Sequence, residues 1–243
     1  MREKINNFKF RASALGNIVT KSGKLTDGAK TYINDCFIGL IYNVKKEAYG
    51  KALDKGIATE EDVIKLINDS IYKGQLLIKV KEGRKNEWIM GTPDIIKDNI
   101  VYDCKSAWDL YTFGKADLTW IYEWQLKAYM FLYDLPMARL FYGIVNMPPQ
   151  MIYSEQMSHF YRNPGKWVSM ESPDFLEWCD EFEKANKYDH LPIEQRFKVW
   201  DIERSQEDDQ RIIESVIIAR SYMVNLYEEH LQNIEKNIKL ISL

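Results

Sequence analysis

The chain has 243 residues, 46% hydrophobic and 13% aromatic, which suffices for a buried core and excludes a disordered polymer. Its formal net charge of −3 at pH 7 is not the footprint of a sequence-specific DNA binder, although a bound metal or a local lysine cluster can serve a groove on an acidic protein. No apolar run reaches the roughly 20 residues of a membrane helix, the N-terminus lacks the apolar core of a secretory signal, and three scattered cysteines (Cys36, Cys104, Cys179) have no metal-ligand spacing, so a cytoplasmic protein with reduced thiols is expected.

In chain order, residues 10–20 read as a short helix, followed by a Lys/Gly/Ser-rich turn at 21–24. Asp27 to Leu53 is helical by period, with Ile33, Phe37, Leu40, Ile41 and Val44 as its apolar stripe. Gly56 interrupts, and Val63, Ile64, Leu66, Ile67 and Ile71 continue a second amphipathic stretch that stops at Gly74. Leu76 to Lys81 reads as a strand, closed by a polar turn from Glu82 to Asn86. Trp120 to Tyr133 reads as a helix, and Ala138 to Asn146 as a buried strand closed by Pro148-Pro149. From about Pro164 the pattern is helical again. Ser205 to Leu243 forms one long helix, acidic at its start and lysine-containing near its end, as the helix dipole favours. This order implies an α/β fold, a central mixed β-sheet flanked by helices, over residues 1–204, with a C-terminal helical extension over 205–243.

The most informative segment runs from Gly91-Thr92-Pro93-Asp94 to Asp103-Cys104-Lys105. It reads as a hairpin: Ile95-Ile96, a turn at Lys97-Asp98-Asn99, and a return strand from Ile100 to Lys105. Side chains alternate along a strand, so Asp103 and Lys105 share one face while Cys104 points to the other. Aspartate is depleted in strands, and its presence in an otherwise apolar one needs a reason. Two acids and an ammonium meeting at one point can hold a divalent metal and an attacking water beside a phosphodiester.

These residues resemble the active-site motif of the PD-(D/E)XK nuclease superfamily: Pro93-Asp94, then Asp103-x-Lys105. Further motifs in the same order resemble its lambda-exonuclease and RecB-like branch, including the phage-borne YqaJ-type recombinases. Gly56-x-x-x-Glu60 resembles the helix that supplies another acid there, and Gln125-x-x-x-Tyr129 resembles its Gln-x-x-x-Tyr helix. Arg11-Ala12-Ser13-Ala14 resembles the serine segment that opens these domains. The likeness covers about residues 10–150. The cysteine spacing argues against the iron–sulfur cluster of some RecB-like nucleases.

The resemblance implies a restriction-endonuclease-like core and a metal-dependent DNA nuclease, chiefly an exonuclease of phage or mobile-element recombination. It implies Asp94, Asp103, Glu60 and the backbone carbonyl of Cys104 as ligands for Mg²⁺, with Mn²⁺ able to substitute. Lys105 would orient the attacking water and stabilise charge on the phosphate, and Gln125 would position water, metal or phosphate. Tyr129 would support Gln125, and Arg11 and Ser13 would contact a terminal phosphate. DNA is the implied partner, with a single-strand annealing or recombination protein and a second copy of the chain as further expectations. Glu60 has two readings. Thr59-x-x-Asp62 can be a capping box that places Glu60 in a helix first turn; alternatively the helix runs through Gly56 and Glu60 projects toward the metals. An endonuclease or structure-specific resolvase on the same fold, and a catalytically silent binding module, stay open. His159, His190 and His230 are isolated and read as structural or surface residues.

Overall fold

A computed structural model describes residues 1–47, 49–75 and 77–242. Leu76 and Leu243, the expected first residue of a strand and last residue of a helix, lie outside the described residues. The chain opens with α1 (Arg2–Asn6) and β1 (Phe10–Arg11), then a 3-10 turn at Ala12–Asn17. A helix was expected over 10–20. The backbone of Phe10 instead bonds to the Trp88 carbonyl, which pulls it into a parallel pair with β3 (Ile89–Gly91). The expected turn at 82–86 is half strand: β2 (Arg84–Lys85) pairs antiparallel with β3. The reversal is made by Asn86, whose side chain accepts from the N–H groups of Trp88 and Ile89.

α2 (Asp27–Tyr42) starts where the Thr26 hydroxyl accepts the Ala29 N–H at 3.1 Å. It ends earlier than its periodicity suggests, because Asn43 takes a left-handed conformation (φ 51°) and returns its N–H to Gly39, leaving Val44 outside the helix. α3 (Lys51–Ser70) corrects the reading of Gly56 as a break: the helix runs through it. An interior glycine costs about 1 kcal/mol relative to alanine. Burial of Thr59, Val63, Leu66 and Ile67 against the sheet outweighs that. Thr59 is therefore mid-helix, and the capping-box reading fails.

The main sheet has the order β4 (Ile95–Lys97), β5 (Ile100–Ser106), β6 (Met137–Gly143), β7 (Phe197–Glu203). β4 is antiparallel to β5, β5 parallel to β6, and β6 antiparallel to β7. β7 overturns the all-helical reading after Pro164. Its alternation sends Phe197 and Val199 to one face and Trp200 and Ile202 to the other. A helix also begins earlier, at α6 (Pro149–Arg162), followed by α7 (Pro173–Ala185). The expected strand from Leu76 to Lys81 is reduced, among the described residues, to a bridge between Lys79 and Ile95.

One sheet face packs Val101, Ala138 and Leu140 against α5 (Trp120–Tyr133), which follows the short α4 (Leu110–Lys115), and against α8 (Gln206–Ile241). The other packs Tyr102 and Phe141 against Val63, Leu66 and Ile67 of α3. α8 buries Ile212, Val216, Ala219 and Met223 in its first half, and Leu231, Ile234 and Ile238 of its second half are exposed. No helix of the described residues is long and apolar enough to cross a membrane. This is the α/β architecture with a mixed sheet between helices.

Candidate active site

β4 is short, so β5 runs on past it, and the site forms at this step in the sheet. Asp94 precedes β4. Its N–H bonds the Tyr102 carbonyl at 3.2 Å, and its Oδ2 accepts the Cys104 N–H at 2.6 Å. A strand residue directs its N–H and C=O to the same side, so the Cys104 carbonyl also points toward Asp94, beyond the last β4 rung. Asp103 is buried on the α5 face, where its Oδ1 accepts from Gln125 Nε2 at 2.6 Å. The Lys105 ammonium lies 2.6 Å from Asp103 Oδ2 and over the Tyr122 ring at 5.3 Å. Gln125 and Tyr129, one turn apart on α5, are 3.4 Å apart at Nε2 and Oη. Glu60 reaches the same cleft from α3 and is held by Lys79 at 2.7 Å.

The structure thus brings Glu60, Asp94, Asp103, Lys105, Gln125 and Tyr129 to one cleft of about 470 Å³, with Cys104 in its wall. Arg11 and Ser13 line a neighbouring cavity of about 550 Å³, which shares Tyr129 with the cleft. Arg84 and Lys85 line that cavity too, making it cationic, and Thr92 adds a hydroxyl. The sequence does not reveal the place of Arg84 and Lys85, because a Glu-Gly-Arg-Lys-Asn run reads as a solvated turn; two adjacent cations beside the motif hairpin are the available signal. Tyr122 and Lys79 were also missed, since their roles depend on contacts across the fold. The three histidines line neither cavity; His159 stacks on Trp178, and His230 packs edge-on to Phe37 and Tyr42.

Crowded negative charge in a dry site controls the protonation. Burial and the neighbouring Asp103 carboxylate push Asp94 up to about 7. Burial also raises Asp103, against the opposing pull of Lys105. Burial alone would lower Lys105, but the Asp103 carboxylate outweighs it and keeps the ammonium above the ordinary lysine range. Burial drives the Cys104 thiol well above its usual value, consistent with a side chain packed on the α3 face and not with a nucleophile.

The donor set suits a hard divalent cation. No three His, Cys, Asp or Glu side chains converge as a metal cluster among the described residues. Mg²⁺, however, takes only one or two carboxylates and completes its shell with waters and substrate phosphate. Asp94 and Asp103 would supply those carboxylates: buried Asp103 Oδ2 has the Lys105 ammonium as its one close partner, and the Cys104 carbonyl lies on the Asp94 side of β5. Glu60, tied to Lys79, stands at the cleft wall as a further oxygen donor.

No protein-family model matches the sequence, and no curated protein matches it. Solved structures do. A phage-related exonuclease from Haemophilus somnus 129PT aligns with a TM-score of 0.70 at 23% identity, over 95% of this chain and all of that one. The alkaline exonuclease LHK-Exo from Laribacter hongkongensis aligns with a TM-score of 0.60 at 14% identity, over 97% of this chain and 96% of its own. The same enzyme in complex with dAMP aligns with a TM-score of 0.57 at 14% identity, over 98% and 97% of the two chains. The chain has the fold of these exonucleases. The alignments span essentially the full length, so α8 and the α6–α7 pair belong to the shared architecture along with the sheet. This is the fold that the motif resemblance implied.

Proposed function

We propose that the protein is a metal-dependent DNA nuclease that hydrolyses phosphodiester bonds from a chain end, in phage or mobile-element recombination. The observation that carries this reading is the meeting of Asp94, Asp103 and Lys105 in a cleft beside a separate cationic cavity, on a fold shared with exonucleases. Asp94, Asp103 and the Cys104 carbonyl would hold Mg²⁺ or Mn²⁺, with Glu60 beside them. The ion, when bound, supplies Lewis acidity to a phosphate oxygen and lowers the pKa of a bound water. Lys105, fixed between Asp103 and Tyr122, presents its ammonium to the attacking water and to the charge that develops on the phosphate. Gln125 holds Asp103 in place through one amide hydrogen and turns toward Tyr129. Arg11, Ser13, Arg84 and Lys85 offer charge and hydrogen bonds to a terminal phosphate. An end-binding cavity next to the cutting point favours exonuclease over endonuclease action.

The test is digestion of linear duplex, nicked circle and closed circle, labelled at either end, with Mg²⁺ and with excess chelator. We expect degradation of substrates with ends only, and none in chelator. Cutting of closed circles would replace the exonuclease reading with an endonuclease. Undiminished cleavage in chelator would remove the metal account, and inertness on every substrate would favour a binding module.

A further inference from the structure

We propose that Lys55 and Thr59 are positioning residues, which lock the exit of β5 to the helix carrying Glu60 and so fix that acid against Asp94, Asp103 and Lys105. The proposal rests on the nuclease reading above. Lys55 is only 1% exposed, yet its Nζ donates to the carbonyls of Ala107 and Trp108, each at 2.8 Å. Thr59, one turn further and fully buried, donates to the Lys55 carbonyl, and its hydroxyl is 2.9 Å from that of Ser106. Both contacts fall where β5 leaves its ladder. The last rung pairs Ser106 with Gly143, and the Ala107 N–H still bonds the Gly143 carbonyl. The next two carbonyls have turned away from β6, and a single ammonium serves both.

The placement on α3 is telling. Lys55, Thr59, Val63 and Leu66 or Ile67 form one stripe toward the sheet. Its far end is apolar, and its end at the cleft is polar. Apolar contact is non-directional and lets a helix slide or turn by fractions of an ångström. Hydrogen bonds to two fixed carbonyls and a hydroxyl do not. The segments joined are the two walls of the cleft: Ala52, Gly56 and Glu60 on one side, Ser106 and Trp108 on the other. Burial pulls Lys55 down to about 8, a standing desolvation penalty that a methionine of similar length would avoid. The Tyr188 ring, 5.7 Å from Nζ, is a modest further contact.

The full-length protein tests this through Lys55→Met, which keeps length and removes the donors, with the folded fraction measured by thermal unfolding. Turnover on an end-labelled linear duplex should lose about tenfold to 100-fold in kcat per folded molecule, with KM within about twofold, because small misplacements of reacting groups act on the chemical step. Mn²⁺ affinity, read by electron paramagnetic resonance without DNA, should fall at least about threefold as Glu60 drifts from the carboxylates. A lysine that only stabilises the fold would lower the melting temperature and leave both quantities unchanged. If either kcat or Mn²⁺ affinity of folded Lys55→Met stays within about twofold of wild type, the proposal is overturned. Should that variant not fold, Thr59→Val decides. A fall in kcat that Thr59→Ser restores supports the clamp, and wild-type kcat in Thr59→Val refutes it. Wild-type protein that cleaves nothing refutes the nuclease reading itself, whatever the variants do.

Discussion

Lys105 and Asp94 allow chemistry to be separated from folding. Lys105→Ala should lose about 100-fold in rate, the effect of removing about 3 kcal/mol of transition-state charge stabilisation. Single-turnover cleavage at saturating Mg²⁺ measures it, and wild-type turnover there means that Lys105 is not catalytic. The ion pair with buried Asp103 adds a consequence for stability: in chelator the variant leaves Asp103 with Gln125 alone, so it should be less stable than wild type at neutral pH and recover in acid. Asp94 gives the complementary pH dependence. Its folded-state pKa is raised, from 3.8 to about 7, so the folded protein binds a proton more tightly than the unfolded chain does. The stabilisation is complete below the unfolded value and is lost as pH rises through the folded one. Metal-free protein should therefore lose melting temperature between about pH 4 and 7, and Asp94→Asn should flatten that slope. The same slope in both proteins would mean that Asp94 does not titrate in this window.

Elements built from local signals were legible in the sequence, and those built by distant pairing were not. The motif hairpin is a strand, a polar turn and a strand within 15 residues, and its alternation alone placed Asp103 and Lys105 on one face. β7 carries an alternating pattern as well, but it pairs with β6 across more than one intervening helix, and helical neighbours on both sides masked it. Gly56 reads as a break because the helix penalty of glycine is a local signal, whereas the buried stripe that outweighs it exists only in the fold. Lys55 was invisible for a related reason: a lysine in a charged run reads as solvated, and only the fold reveals two carbonyls waiting for it. Gly91, by contrast, is read correctly only as a matter of space. A Cβ there would lie 2.8 Å from the Cβ of Ala12 and 2.9 Å from the Tyr129 ring, between the cleft and the cationic cavity. Gly91→Ala should cost about 1–3 kcal/mol by overpacking, read by urea unfolding, and should slow cleavage by moving Tyr129. Unchanged stability would show that β3 and α5 are not so closely packed.

At the scale of the whole molecule, the net charge of −3 and the nuclease reading are reconciled by where the cations sit. The cleft gathers carboxylates, where under the proposed function a bound ion would add to the charge of Lys105, while Arg11, Arg84 and Lys85 gather in the adjoining cavity. α8 supports that side of the molecule: buried Arg220 donates to the carbonyls of Phe8 and Glu87, tying the leads into β1 and β3 to the long helix. A protein arranged this way should grip DNA at a chain end through few phosphates and not along a broad basic face. Each neutralised phosphate on a duplex contributes a slope of about −0.9 to log K against log salt. If the terminal phosphate and its two nearest neighbours each meet one of these three cations, the slope is about −2.7, far shallower than that of a repressor making many contacts. The measurement is fluorescence anisotropy on an end-labelled duplex, in Ca²⁺ to fill the site without cutting, across a range of NaCl. The double variant Arg84→Ala/Lys85→Ala should weaken binding at low salt and reduce the slope by about 1.8. If the slope does not change, those two residues do not touch phosphate, and the terminal-phosphate role of the cavity falls even if cleavage in the neighbouring cleft proves metal-dependent.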